Sequence, residues 1–150
     1  MSSFLDVMFS KGAVPALEKT LYFTEARHRY LLGNIANADT PGFQRKDISF
    51  DAFNKELKKA ISMRDAEPSR GFRFSEKNAI QELGSSKIRI SSSANKERDS
   101  VDGVLRHDGN NVDIEKEMAM LVRNSGKGKR AASLLSKLYG QIKLVLSETT

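Results

Sequence analysis

Two stretches of this chain carry apolar residues in a seven-residue rhythm, and they lie at its two ends. From Val14 the positions Val14, Leu17, Leu21, Thr24, His28, Leu31 and Ile35 advance by alternating steps of three and four. All but Thr24 and His28 are apolar, which fits a coiled-coil seam better than a scattered core face. The pattern predicts a helix over 14–37, with Pro15 tolerated in its first turn and Asn37 as a left-handed cap. Pro41 then disfavours helix at Thr40. Thr40-Pro41-Gly42-Phe43 suits a type II turn, proline setting φ and glycine accepting positive φ. The second rhythm reads Ile114, Met118, Leu121, Ser125, Gly128, Ala132, Leu135, Tyr139, Ile142 and Leu146, and predicts a helix over 112–146. Asp108-Gly109-Asn110-Asn111 precedes it as a turn-and-cap cluster. Asp113, Glu115 and Glu117 place acids in its first turns, with Lys137 and Lys143 toward its end, as the helix dipole favours. Gly126 and Gly128 each cost about 1 kcal/mol against alanine in a helix interior. They mark 124–129 as either a kink or a place where a neighbouring helix comes close.

Between the ends the pattern weakens. Ile48 and Phe50 alternate briefly. Phe50, Phe53, Leu57 and Ile61 then share one face of a short helix near 51–61, capped by Ser49 or Asp51. Short strands are expected at 71–74 and 87–90, with loops around them. From Ser62 to Gly109 only nine of 48 residues are Leu, Ile, Val or Phe, too few to offset the entropy of ordering that segment alone. The expected fold is mainly α: two heptad helices forming a coiled-coil pair, and an irregular middle holding a short helix and short strands. The chain divides into 1–43, 44–109 and 110–150, the first and last parts making one discontinuous unit. Isolated helices are marginal in water. The ends are therefore expected to order on assembly, the lone chain keeping little tertiary structure. A two-helix hairpin in an ordinary small domain is the competing reading.

Composition narrows the function. The net charge of +6 is spread as +2, +1 and +3 over 1–61, 62–109 and 110–150, without aromatics interleaved among clustered cations. That argues against nucleic acid. A chain without cysteine and with only His28 and His107 offers no disulfide and no zinc site of the usual kinds. The opening MSSFLDVMFSKG lacks a basic leader and Asp6 interrupts its apolar run, so no cleaved secretory signal is expected. No run is apolar enough to span a bilayer. Candidate chemistry is thin. His107 beside Asp108 lacks a nucleophile motif. Glu115 and Glu117 are explained by the helix dipole, and Ser125-Gly126-Lys127-Gly128-Lys129-Arg130 lacks phosphate-loop spacing. No catalytic residue, cofactor or metal is expected.

One string stands out. Asn34, Ala36, Asn37, Thr40, Pro41, Gly42 and Phe43, within NIANADTPGF, closely resemble the signature of bacterial flagellar axial proteins, where the N-terminal helix ends in an ANxxTPG-type motif. The KDISF that follows, the short length, and HDGNNVDIEKEMAMLVRNS near the C-terminus resemble the FlgB-type proximal rod family in particular. The resemblance implies a structural subunit of the flagellar basal-body rod, exported by the flagellar type III apparatus into the periplasmic rod. Its implied partners are copies of itself, other rod proteins, and the MS-ring, the FliE adaptor and the export gate at the rod base. Nucleic acid and membrane insertion are not among them. Torque would pass through a helix-packing seam of Val14, Leu17, Leu21, Leu31, Ile35, Ile114, Met118, Leu121, Leu135, Tyr139, Ile142 and Leu146. The alternative is a cytosolic coiled-coil adaptor or export chaperone.

Overall fold

A computed structural model describes residues 13–67, Phe72, Phe74, 80–83, 87–90 and 109–147. Within them lie three helices: α1 (Val14–Ala36), α2 (Phe50–Ala66) and α3 (Ile114–Ser147). A two-stranded antiparallel hairpin pairs β1 (Ile80–Leu83) with β2 (Lys87–Ile90), Ile80 opposite Ile90. In the expected strand at 71–74, Phe72 and Phe74 are not extended into a strand, and the other two positions lie outside the described residues. No described helix is long and apolar enough to cross a membrane.

The α1 helix stops where its sequence says it should, by a different device. Asn37 has φ −108°, so the expected left-handed cap is absent. Its side-chain amide instead donates to the Gly33 carbonyl at 2.8 Å, satisfying an orphan acceptor of the last turn. The chain then steps down through Thr40 N–H to Asn37 O (3.1 Å) and Phe43 N–H to Thr40 O (3.2 Å). Gly42, at φ +70°, closes this last turn in a conformation that side chains with a Cβ resist.

The α2 helix runs five residues past Ile61, and Ser49 caps it by accepting from the Ala52 amide. Its buried Phe53 stacks on Phe23 of α1 with ring centroids 4.2 Å apart, and Phe74 leans on Phe53 at 5.9 Å. With Ile48 and Ala60 these rings make a small core, so the segment just after the corner is anchored on α1. Burying a side chain of this size contributes about 1.5–3 kcal/mol.

The α3 helix is unbroken through Gly126 and Gly128. Of the two readings of that glycine pair, close approach holds, and at Gly128 alone. A Cβ there would sit 3.1 Å from Thr24 Oγ1, whereas one on Gly126 would meet nothing within 4 Å. The two helices run antiparallel. Asn34 bonds Glu117, the Thr24 carbonyl accepts from Asn124 at 2.7 Å, and Glu18 accepts from the Tyr139 hydroxyl at 2.9 Å. The terminal helices thus meet within one chain. Among the described residues the buried Asn34, Glu117 and Asn124 side chains find partners within the chain, the Asn124 Oδ1 excepted.

The register of α3 corrects the sequence reading. The residues turned toward α1 include Glu117, Leu121, Asn124, Gly128, Ala131, Leu135 and Ile142, each buried or half-buried. Leu121, Gly128, Leu135 and Ile142 belong to the expected seam, but its other half has moved back by one residue. Met118, Tyr139 and Leu146 stand 56%, 40% and 47% exposed, while Glu117 and Asn124 take their places at 0% and 2%. Hydrophobicity favoured the first set. Polar groups with partners waiting on α1 and in the segment after it select the second.

Candidate functional site at the helix corner

The corner after α1 is built on Asn34, which the helix buries to 1% exposure. Its Oδ1 accepts from the Lys46 amide at 3.0 Å, and its Nδ2 donates to the Lys46 carbonyl at 2.7 Å. One side chain thereby imitates a strand partner and clamps the returning segment to the helix. The same Nδ2 donates to Glu117 Oε2 at 2.9 Å, tying α3 in as well. Asparagine alone offers donor and acceptor at this length: aspartate cannot donate, and glutamine is one methylene too long.

Charge surrounds this clamp in balanced form. The other Glu117 oxygen takes the Arg45 guanidinium, which also reaches Asp47 at 3.0 Å and the Met120 sulfur at 3.3 Å. Arg27 grips Asp47 through both carboxylate oxygens, at 2.8 and 2.7 Å. Two cations therefore face two carboxylates, with the Ile48 amide also donating to Asp47 at 2.7 Å. Burial pushes the Asp47 carboxyl up, but the Arg27 bonds and charge, the Ile48 amide and Arg45 outweigh it and hold the group below the usual carboxylate range. Burial likewise works against the Arg45 charge, and Glu117 and Asp47 more than restore it.

The second half of the corner comes from the turn before α3. Asn110 is wholly buried, and its Nδ2 lies 3.1, 2.8 and 3.0 Å from the carbonyls of Asn37, Ala38 and Thr40. Its Oδ1 accepts from the Val112 amide at 2.8 Å, so this amide both holds the step-down and shapes its own turn. Asn111 Oδ1 accepts from the Arg45 amide at 2.8 Å, and Gln44 donates to the Gly109 carbonyl at 3.0 Å. Gly109, at φ +74°, brings its backbone against Gly42, whose Cα would lie 3.9 Å from an added Cβ. Asp113 then caps α3 by accepting from the Lys116 amide at 3.2 Å.

The two motifs that carry the sequence resemblance, some seventy residues apart, are thus one object. Asn34 and Asn37 do its inner bonding. Ala36, Thr40, Pro41 and Gly42 face outward, and Phe43 is half-buried beside a groove of about 480 Å³ lined also by Tyr30, Gly33 and Lys46. In the seam, Val14, Leu31 and Ile142 are buried, and Leu17, Leu21, Ile35, Ile114, Leu121 and Leu135 are half-buried. Sequence reasoning missed Arg45 and Asp47, took Asn110 only as part of a turn-and-cap cluster, and gave Glu117 only a dipole role. The available signal for Glu117 was an acid one heptad before Asn124, both polar at spacing that suits a seam. His28 is half-buried on α1, and His107 lies outside the described residues. No cluster of side chains able to hold a metal occurs among the described residues. The arrangement can fix geometry, and it offers no nucleophile and base poised on each other.

No family model matches the chain. Individual relatives do. It is 37% identical over 100 residues to the flagellar basal body rod protein FlgB of Borrelia hermsii, covering 65% of this chain and 68% of that one. The FlgB of Aquifex aeolicus is 31% identical over 108 residues, 71% and 70% of the two chains. That of Salmonella typhimurium is 33% identical over 132 residues, 85% and 88%.

Proposed function

Because this chain belongs to the FlgB family of flagellar basal body rod proteins, we propose that it acts mechanically, its terminal helices packing as a coiled-coil pair into the wall of the rod. It is a structural subunit of the flagellar basal body, placed among other rod components. The observation that carries the mechanical reading is the lock between its two motifs. Asn34, Asn110 and Glu117 fix the corner to α3 inside one chain, while Met118, Val122, Leu134 and Leu144 are left 56%, 72%, 51% and 65% exposed. A subunit that is stiff at its corner and still apolar outside is suited to transmit torque to neighbours rather than to turn over a substrate.

In this reading the residues Asn34, Ala36, Asn37 and Thr40 to Phe43 form the assembly motif, and the middle segment, with its short hairpin, makes lateral contacts. Copies stack helically with other rod proteins, and the lowest meet the MS-ring and the FliE adaptor beside the export gate. The chain reaches the periplasm through the flagellar type III apparatus, and it performs no catalysis. A strain lacking the chain and complemented with a tagged copy tests this. Motility should return, and purified basal bodies should contain the tag. Retention of the tagged chain in the cytosol of cells with an intact exporter would instead assign it as an adaptor or chaperone.

A further inference from the structure

The outward side of α3 carries a second seven-residue pattern. Lys116, Arg123, Arg130 and Lys137 recur at every seventh position and are all exposed. Three residues after the last three of them come Gly126, Ser133 and Gly140, so long cations alternate with small residues along one outward stripe. From 118 to 147 the helix holds six cations and no acid. An ordinary solvated helix face mixes both signs. Beyond Lys116, which pairs with the exposed Asp113 at 3.6 Å, this one keeps a single sign, and Val122 and Leu144 flank it at 72% and 65% exposure.

We propose that this face docks an acidic helix of a different protein. A helix fits because the small residues let a second backbone come close while the cations reach around its sides, as flanking charges do beside a coiled-coil seam. A membrane fits poorly, since the centre of the stripe is small and polar where a surface-lying helix needs bulky apolar side chains. Another copy fits poorly too. The α1 helix carries three cations and two acids and α2 four and three, so no described helix of this chain offers an acidic complement. Charge complementarity then both selects the partner and excludes self-pairing at this face.

The inference rests on the rod reading only for where the partner is met, and its test does not need a flagellum. The full purified chain is titrated against a labelled 28-residue helical peptide with glutamate at every seventh position and alanine at the facing positions. Binding should appear by fluorescence anisotropy, weaken with added salt, and fall at least tenfold in Arg123→Glu/Arg130→Glu/Lys137→Glu, with helix content by circular dichroism retained. The lysine-for-glutamate version of the peptide should not bind. Equal binding of both peptides, or unchanged binding by the triple variant, would overturn the proposal. So would binding to vesicles of one part phosphatidylglycerol to three of phosphatidylcholine without binding to the peptide, or self-association that the triple variant abolishes.

Discussion

Replacing Asn34 by aspartate changes one NH2 group to an oxygen and tests the corner directly. In the native arrangement that NH2 donates to the Lys46 carbonyl at 2.7 Å and to Glu117 Oε2 at 2.9 Å. The first bond is neutral and contributes about 0.5–1.5 kcal/mol, the second is to a charge and contributes about 1.5–3 kcal/mol. The variant loses both and sets a second carboxylate against Glu117 in a site with almost no water. A deficit of about 3–5 kcal/mol follows, the range found when one member of a buried pair is removed. Hydrogen exchange on the full chain reads it locally, because the amides of Arg45, Lys46 and Ile48 are held by the side chains of Asn111, Asn34 and Asp47. Exchange at Lys46 should quicken by roughly a hundredfold to a few thousandfold at pH 8, each 1.4 kcal/mol being tenfold. An exchange rate within threefold of the parent would refute the clamp.

Asp47 sits below the ordinary carboxylate range, so its contribution is complete above about pH 4 and is lost as pH falls through its lower folded value. Circular dichroism should show an acid limb there, and Asp47→Asn should flatten it while lowering stability at neutral pH; an unaltered limb assigns the acid sensitivity elsewhere. At Gly42, φ +70° is costly for a β-branched residue, about 1–2 kcal/mol, so Gly42→Val should impair motility at normal expression. Normal swimming would show that this turn is not needed. The two central glycines should respond oppositely. Gly126→Ala, facing open space, should stabilise by up to about 1 kcal/mol, whereas Gly128→Leu must push Thr24 away and should lower the melting temperature. Two shifts of the same sign would contradict the close approach at Gly128.

Helix periods and turn chemistry made much of this architecture legible. The start of α1, the Ser49 cap, the positive φ at Gly42 and the continuity of apolar spacing in α3 all follow from local rules that the residues obey. What could not be read was which of two adjacent stripes on α3 would turn inward. Counting apolar residues selects the stripe through Met118, Tyr139 and Leu146. The outcome depends instead on whether Glu117 and Asn124 find partners, and those partners (Asn34, Arg45 and the Thr24 carbonyl) are supplied by residues about seventy to one hundred positions away. The corner shows the same limit. Asn110 reads as a turn residue in isolation, yet its amide reaches three carbonyls of a loop seventy residues upstream. Asn37 was legible as a cap by residue type, but not in its side-chain mode.

Placing polar residues in a seam costs stability, and α3 gives a measure of that cost. Asn124 donates to Thr24 while its Oδ1 is buried with no hydrogen-bond partner among the described residues, a penalty of about 1–3 kcal/mol. An apolar residue there would avoid the penalty, so the asparagine must bring something other than stability. Polar seam positions are best attested as devices that fix register. Glu117 can be satisfied only opposite Asn34 and Arg45, and Asn124 only opposite the Thr24 carbonyl, so a slip of one helix past the other strands a charge or an amide. The one-residue shift that follows has a second effect. Met118 moves out of the intramolecular seam and, together with exposed Val122 and Leu144, leaves apolar surface uncovered within the chain. The same two polar residues that set how α1 and α3 pair within the chain therefore also set which surface of α3 remains for the rod.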